Sequence, residues 1–107
     1  METKDEFIRL SLEYGDALEY GDDKIANKKH GQLTKLYEIF KLNNDFSILE
    51  DTSDHFDERV QFCASVFLLR HNPKKAIEIL NKLTLSKTMI GFSSKTTLSM
   101  WNKGMFD

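Results

Sequence analysis

The stretch ERVQFCASVFLLRHNPKKAIEIL, residues 58–80, decides the fold. Val60 to Leu69 is apolar nearly all round and lacks two-residue alternation, so it reads as a helix at the centre of the molecule rather than a half-buried strand. Arg70-His71-Asn72 closes it with positive charge, which a helix C-terminus favours. Pro73, with its fixed φ and missing N–H, suits the first position of the next helix. Ala76, Ile77, Leu80 and Leu83 form the buried stripe of that helix. Upstream, Asp54, Asp57 and Glu58 carry negative charge of the kind a helix N-terminus stabilises, so the central helix is expected to begin near Asp54.

Working towards the N-terminus, Phe7, Leu10, Tyr14, Ala17 and Leu18 make one stripe of a first helix expected over about Thr3 to Tyr20. Gly15 inside it costs about 1 kcal/mol relative to alanine, so a close neighbour is expected there. The second helix starts at Asp22 or Asp23, either of which accepts free first-turn amides, and runs through Ile25, Ala26, Leu33, Leu36, Tyr37 and Phe40 as the longest of the chain. Phe46, Ile48 and Leu49 place one short helical segment in the polar stretch Lys41 to Ser53. The last helix is expected to follow Gly91 and to present Phe92, Ser94, Leu98 and Trp101 on one side, with Gly104 in the left-handed position after its end. The chain therefore reads as a single all-α domain over residues 1–107, with about five to six helices as antiparallel pairs stacked in layers.

Composition narrows the function. The 107 residues are 40% hydrophobic and 30% charged, in the range of chains that fold. A single cysteine, Cys63, within the apolar run, allows neither an internal disulfide nor a cysteine metal site, and its expected role is core packing. The longest uninterrupted apolar run is Val66 to Leu69 and the opening Met1 to Glu6 is acidic, unlike a signal peptide. The expectation is a cytoplasmic protein with no membrane partner.

The net charge of −2 hides an asymmetry. Residues 1–60 hold 15 acidic against 8 basic side chains, whereas residues 61–107 hold 2 against 7. The acidic half steers basic partners and repels nucleic acid; the basic half does the reverse.

Enzymatic signatures are weak. Asp51-x-x-Asp54-His55-x-Asp57-Glu58 sets carboxylates beside a histidine, but no second His or Cys follows at metal-binding spacing, and capping of a helix explains the acids. His30 and His71 are isolated, and Ser93, Ser94, Thr96 and Thr97 have no nucleophile elbow or paired base. Gly15 and Gly21 have acidic neighbours that would repel a phosphate. No catalytic residue, cofactor or metal ligand is expected.

Protein binding has the better physical case. Glu13, Asp16 and Tyr20 recur at steps of three and four on the first helix, with Glu19, Asp22 and Asp23 at its end. Glu50, Asp51, Asp54, Asp57 and Glu58 form a second acidic cluster. These eleven residues are the expected partner-binding set, provided that inter-helix loops at one edge gather them into a single face. The doubled LEYGD, Leu12 to Asp16 and Leu18 to Asp22, is not a repeated binding element, because six residues turn a helix through about 600° and the copies face about 120° apart.

Three segments carry a family resemblance. Gly91-Phe92-x-Ser94-x-x-x-Leu98-x-x-Trp101-x-x-Gly104 resembles the closing signature of a small bacterial HEAT-like domain family. Gly21-Asp22-x-x-x-Ala26-Asn27 resembles that family's opening of the second helix, and Val60 to Leu69 followed by Pro73 to Leu80 resembles its HEAT-type helix pair. Two departures stand out: Gln61 where the family pattern has arginine, and a longer, more acidic linker from Glu50 to His55. The resemblance implies HEAT-like antiparallel pairs forming a short α-α superhelix. It also implies kinship with immunity proteins that neutralise a toxin domain encoded beside them. The expected function is then an immunity protein, monomeric in a one-to-one complex, covering the basic active-site cleft of a nuclease toxin with its acidic face. The alternatives are a HEAT-like adaptor without a toxin partner, and a small nucleic-acid binder using the basic half, although direct nucleic-acid contact is not expected.

Overall fold

Six helices carry most of the chain in the computed structural model of the protein, which describes residues 3–106: α1 (Thr3–Tyr20), α2 (Asp23–Leu42), α3 (Ser47–Thr52), α4 (Glu58–Leu68), α5 (Pro73–Leu83) and α6 (Met89–Asn102). The fold is all-α, and α2 is its longest helix at 20 residues. Helix α4 is the hub. Val60, Phe62, Cys63, Ala64, Ser65, Phe67 and Leu68 are all buried, because an element packed against α1, α3, α5 and α6 has almost no face left for water. Phe67 also stacks on Tyr37 of α2 at 4.9 Å between ring centres. Helices α1 and α2 pack on each other, as do α4 and α5, and α5 and α6, as short links between consecutive helices require.

The ends of the helices follow local chemistry. Tyr20 closes α1, Gly21 turns at φ +71°, and Asp22 caps α2 by accepting from the Ile25 amide at 3.1 Å. The two LEYGD copies therefore do different things: Tyr14 packs against the core, whereas Tyr20 is 85% exposed. Asn72 caps α5 with Pro73 in its first turn, and Gly104 sits at φ +70° after α6. Phe7, Leu10, Leu33, Leu49, Leu68 and Leu80 form a contiguous core, and truncating any of them to alanine costs about 2–5 kcal/mol.

Four local expectations are corrected. Helix α4 begins at Glu58 rather than near Asp54, because residues 54–57 form a turn held by side chains: His55 Nδ1 accepts from the Asp57 amide at 3.1 Å, and the Gln61 amide group donates to the His55 carbonyl. Helix α6 begins at Met89, which puts Gly91 inside its first turn. A Cβ on Gly91 would collide with the Ser86 carbonyl oxygen, so glycine is what lets the loop approach. Phe92 is 64% exposed, and the buried side of α6 is Ile90, Gly91, Ser94 and Thr97. Ile25 is also exposed, leaving Ala26 to anchor the start of α2.

Candidate partner-binding face

The site is organised by Arg59. It stands in the first turn of α4, next to the cap residue Asp57, and its methylene stem crosses α1 at Gly15. A Cβ at Gly15 would fall 2.6 Å from Arg59 Cδ and 2.8 Å from Arg59 Cβ, with Cγ closer still. The glycine expected to have a close neighbour thus has one, and it is a cation. The Arg59 Nε donates to Asp57 Oδ1 at 2.9 Å and Nη2 to Asp57 Oδ2 at 2.7 Å, a two-pronged pair, while Nη1 donates to Asp16 Oδ1 at 2.6 Å. Asp57 Oδ1 also accepts the Arg59 amide at 2.9 Å, which makes one carboxylate both cap and counter-ion. The Arg59 hydrogen bond holds the Asp57 carboxyl below its ordinary pKa range against the opposing effect of burial.

Two further acids reach the N-terminus of α6. Glu58 Oε2 accepts from Ser86 Oγ at 3.0 Å and from the cap hydroxyl of Thr88 at 2.7 Å, and Glu19 Oε1 accepts from the Met89 amide at 2.9 Å. Negative charge there satisfies free amides and interacts well with the helix dipole. The outcome is a cavity of about 450 Å³ between α1, α4 and α6, lined by Asp16, Glu19, Asp57 and Glu58 around the single cation Arg59. Phe56, 91% exposed and stacked on His55 at 4.3 Å, forms part of its wall. Asp16 is also shared with a smaller cleft of about 230 Å³ lined by Glu13, Tyr20, Asp22 and Ile25.

The eleven expected residues are thus divided. Glu13, Asp16, Glu19, Tyr20 and Asp22 from the first cluster join Asp57 and Glu58 from the second across Asp16, with exposed Asp23 following in the first turn of α2. Glu13 pairs with Arg9 and Lys29, each at 3.0 Å, and the Lys29 hydrogen bond lowers its pKa. Glu50, Asp51 and Asp54 line neither cavity. Lys75 of α5 holds Asp54 at 2.9 Å and Glu50 at 3.3 Å, and Lys4 lies 3.4 Å from Asp51. Asp54 and Glu50 in turn raise the Lys75 pKa. That cluster is a cross-link between α3 and α5.

Sequence reading missed Arg59 and Phe56. Asp57-x-Arg59 was visible as a possible pair, but the slot for the arginine is made by a glycine far away in the chain. Phe56 was visible only as an aromatic residue in a polar stretch. Among the described residues, no group of three or more His, Cys, Asp or Glu is placed to hold a metal ion, and no helix is long and apolar enough to cross a membrane. No protein-family model, curated protein or solved structure matches the chain.

Proposed function

We propose that this chain is an immunity protein, which binds a cognate toxin domain and neutralises it without catalysis of its own. The observation that carries the reading is the cavity that four carboxylates and Arg59 line beside the exposed ring of Phe56, with the exposed ring of Tyr20 in the adjoining cleft that shares Asp16. Acidic residues steer a basic partner at long range and select against wrong ones. Exposed aromatic residues supply the short-range part, since a few large rings buried in the partner dominate the affinity of most protein interfaces. A nuclease active site, which attracts phosphate, presents the complementary basic cleft. The Arg59 pairs keep Asp16 and Asp57 in fixed positions before the partner arrives, and the bonds to the start of α6 do the same for Glu19 and Glu58, which lowers the ordering cost of docking. The HEAT-like resemblance of the sequence supports the same reading, as does the acidic N-terminal half.

The test is co-expression with any toxin-like domain found encoded next to this chain's reading frame; the absence of such a neighbour counts against the proposal. Restored growth and a one-to-one complex whose affinity falls with added salt are the expected results. Persistent growth inhibition with no isolable complex would overturn the proposal. A complex with a basic partner that has no toxic activity would instead identify an adaptor.

A further inference from the structure

Helix α6 differs from the other exposed helices in its lack of charge: Lys95 is the one charged residue in its 14, whereas α1, α2 and α5 each carry several. Its inner side, Ile90, Gly91, Ser94 and Thr97, packs against α1, α4 and α5. Its outer side is a stripe of Met89, Phe92, Thr96 and Met100 that continues to Lys103, just past the helix end. Phe92 is 64% exposed, Met89 38% and Met100 37%, and Thr96 and Lys103 are exposed as well. The steps along the stripe are 3, 4, 4 and 3 residues, which keep it on one face and read the same in both directions from Thr96. Lys95 stands about 100° round the helix from Thr96, off the stripe. The two ends of the stripe differ in charge. At the first, the Met89 amide donates to Glu19 Oε1 at 2.9 Å, and Glu58 accepts from the Thr88 hydroxyl at 2.7 Å. At the second, Lys103 has no carboxylate partner among the described ion pairs, and neither has Arg70, which lies over the Phe106 ring at 5.7 Å.

We infer that the outer side of α6 docks a second copy of this chain, with the two α6 helices antiparallel about a two-fold axis at Thr96. A two-fold contact places one patch against itself, and a stripe whose spacing is symmetric about its centre meets that condition. Thr96 then faces Thr96 of the second copy, and Phe92 faces Met100 of the second copy, a thioether against an aromatic ring. Lys103 of each copy comes to the acidic start of the other copy's α6, where Glu19 Oε2 is without a described partner. Charge is therefore matched at both ends, and the helix dipoles oppose each other. A parallel pair would set acid against acid. A basic toxin steered by carboxylates finds none along this stripe, so the stripe suits a copy of itself better than that partner. A helix of 14 residues is about 21 Å long, and one such pair buries less than the roughly 800 Å² per partner of stable interfaces. The dimer is accordingly weak, with a Kd of about 100 μM, and gives way to a tightly bound toxin where the two compete for Glu19.

The experiment is sedimentation equilibrium of the whole protein, without any toxin, from about 10 μM to about 1 mM. A monomer–dimer equilibrium is expected. Thr96→Glu sets two like charges on the two-fold axis, and Phe92→Ala removes the largest exposed side chain of the stripe; each is expected to weaken the dimer at least about tenfold. Glu19→Lys and Lys103→Glu are each expected to weaken it as well, because each makes both end contacts repulsive. The double variant Glu19→Lys, Lys103→Glu reverses both partners and is expected to restore the Kd to within about threefold of the unaltered protein, a rescue that an effect on folding would not give. The inference is overturned by a monomer up to about 1 mM, by a dimer that Thr96→Glu leaves as strong, or by a double charge variant no better than the single ones. Any of these results leaves the immunity reading as it stands, since no toxin takes part.

Discussion

Arg59 lies directly on Gly15: the stem of the arginine occupies the space that any other side chain at position 15 would fill. One glycine in a helix thus lets α1 and α4 approach, and the guanidinium then ties them through Asp16 and Asp57. Gly15→Ala gains about 1 kcal/mol of helix propensity, but the added Cβ meets Arg59 Cβ and Cγ, which cannot swing away like the end of a long side chain. A net destabilisation of about 1–2 kcal/mol is expected by urea denaturation. In an Arg59→Ala background, where Cγ and Cδ are gone, the same change is expected to cost clearly less, and equal costs in the two backgrounds would contradict the contact.

Asp57 is a helix cap and half of a two-pronged ion pair at once. Asp57→Ala is expected to lose about 1–2 kcal/mol, the upper part of the range for a capping residue. Its pKa in the folded protein lies below the ordinary 3.8, so its contribution is fully present above that pH and disappears as the pH falls through the folded value. Denaturation midpoints measured from pH 5 downwards are expected to fall less steeply for Asp57→Asn than for the unaltered protein. A parallel fall would remove Asp57 from the acid response.

His71 gives a separate pH dependence. Its ring stacks on Phe46 at 3.7 Å and its Nε2 meets the Tyr37 hydroxyl at 2.8 Å. Desolvation lowers its pKa below 6.5, helped by the charges of Arg70 and Lys41. The unfolded chain therefore takes up the proton first, and the stabilisation from neutral His71 is present above about pH 6.5 and is lost as the pH falls through the folded value. Stability is expected to decrease between pH 7.5 and pH 5.5, and His71→Gln to flatten that slope. This window lies above that of Asp57, so the two responses separate.

Most of the architecture was legible from spacing. The α1 stripe, the Asp22 cap, the all-round apolar α4 and Pro73 at the start of α5 each state their structure within a few residues, and each is found there. What was not legible depended on contacts across the chain. Residues 54–57 look like a first helical turn by charge alone, yet bonds from Gln61 and to His55 hold them outside the helix. Gly91 looks like a break, but the approach of Ser86 makes it a packing residue inside α6. The acidic residues could be counted in sequence, but their division could not: Lys75 takes Glu50 and Asp54 into a cross-link, whereas Arg59 leaves Asp16 and Asp57 at the rim of a cavity.

The exposed rings offer a clean separation of binding from folding. Phe56 and Tyr20 are 91% and 85% exposed, so Phe56→Ala and Tyr20→Ala are expected to change stability by less than about 0.5 kcal/mol. Their expected effect on the complex is much larger, about 2 kcal/mol or roughly thirtyfold in Kd for a ring seated in the partner.

The most direct test of the proposed immunity function is therefore calorimetric titration of a toxin domain found encoded beside this chain with the unaltered protein and with the double variant Phe56→Ala, Tyr20→Ala. The predicted result is tight one-to-one binding by the unaltered protein, at least about thirtyfold weaker binding by the variant, and matching unfolding curves for the two. Undiminished affinity in the variant would place the interface on another face, and absence of binding by the unaltered protein would contradict the proposed function itself.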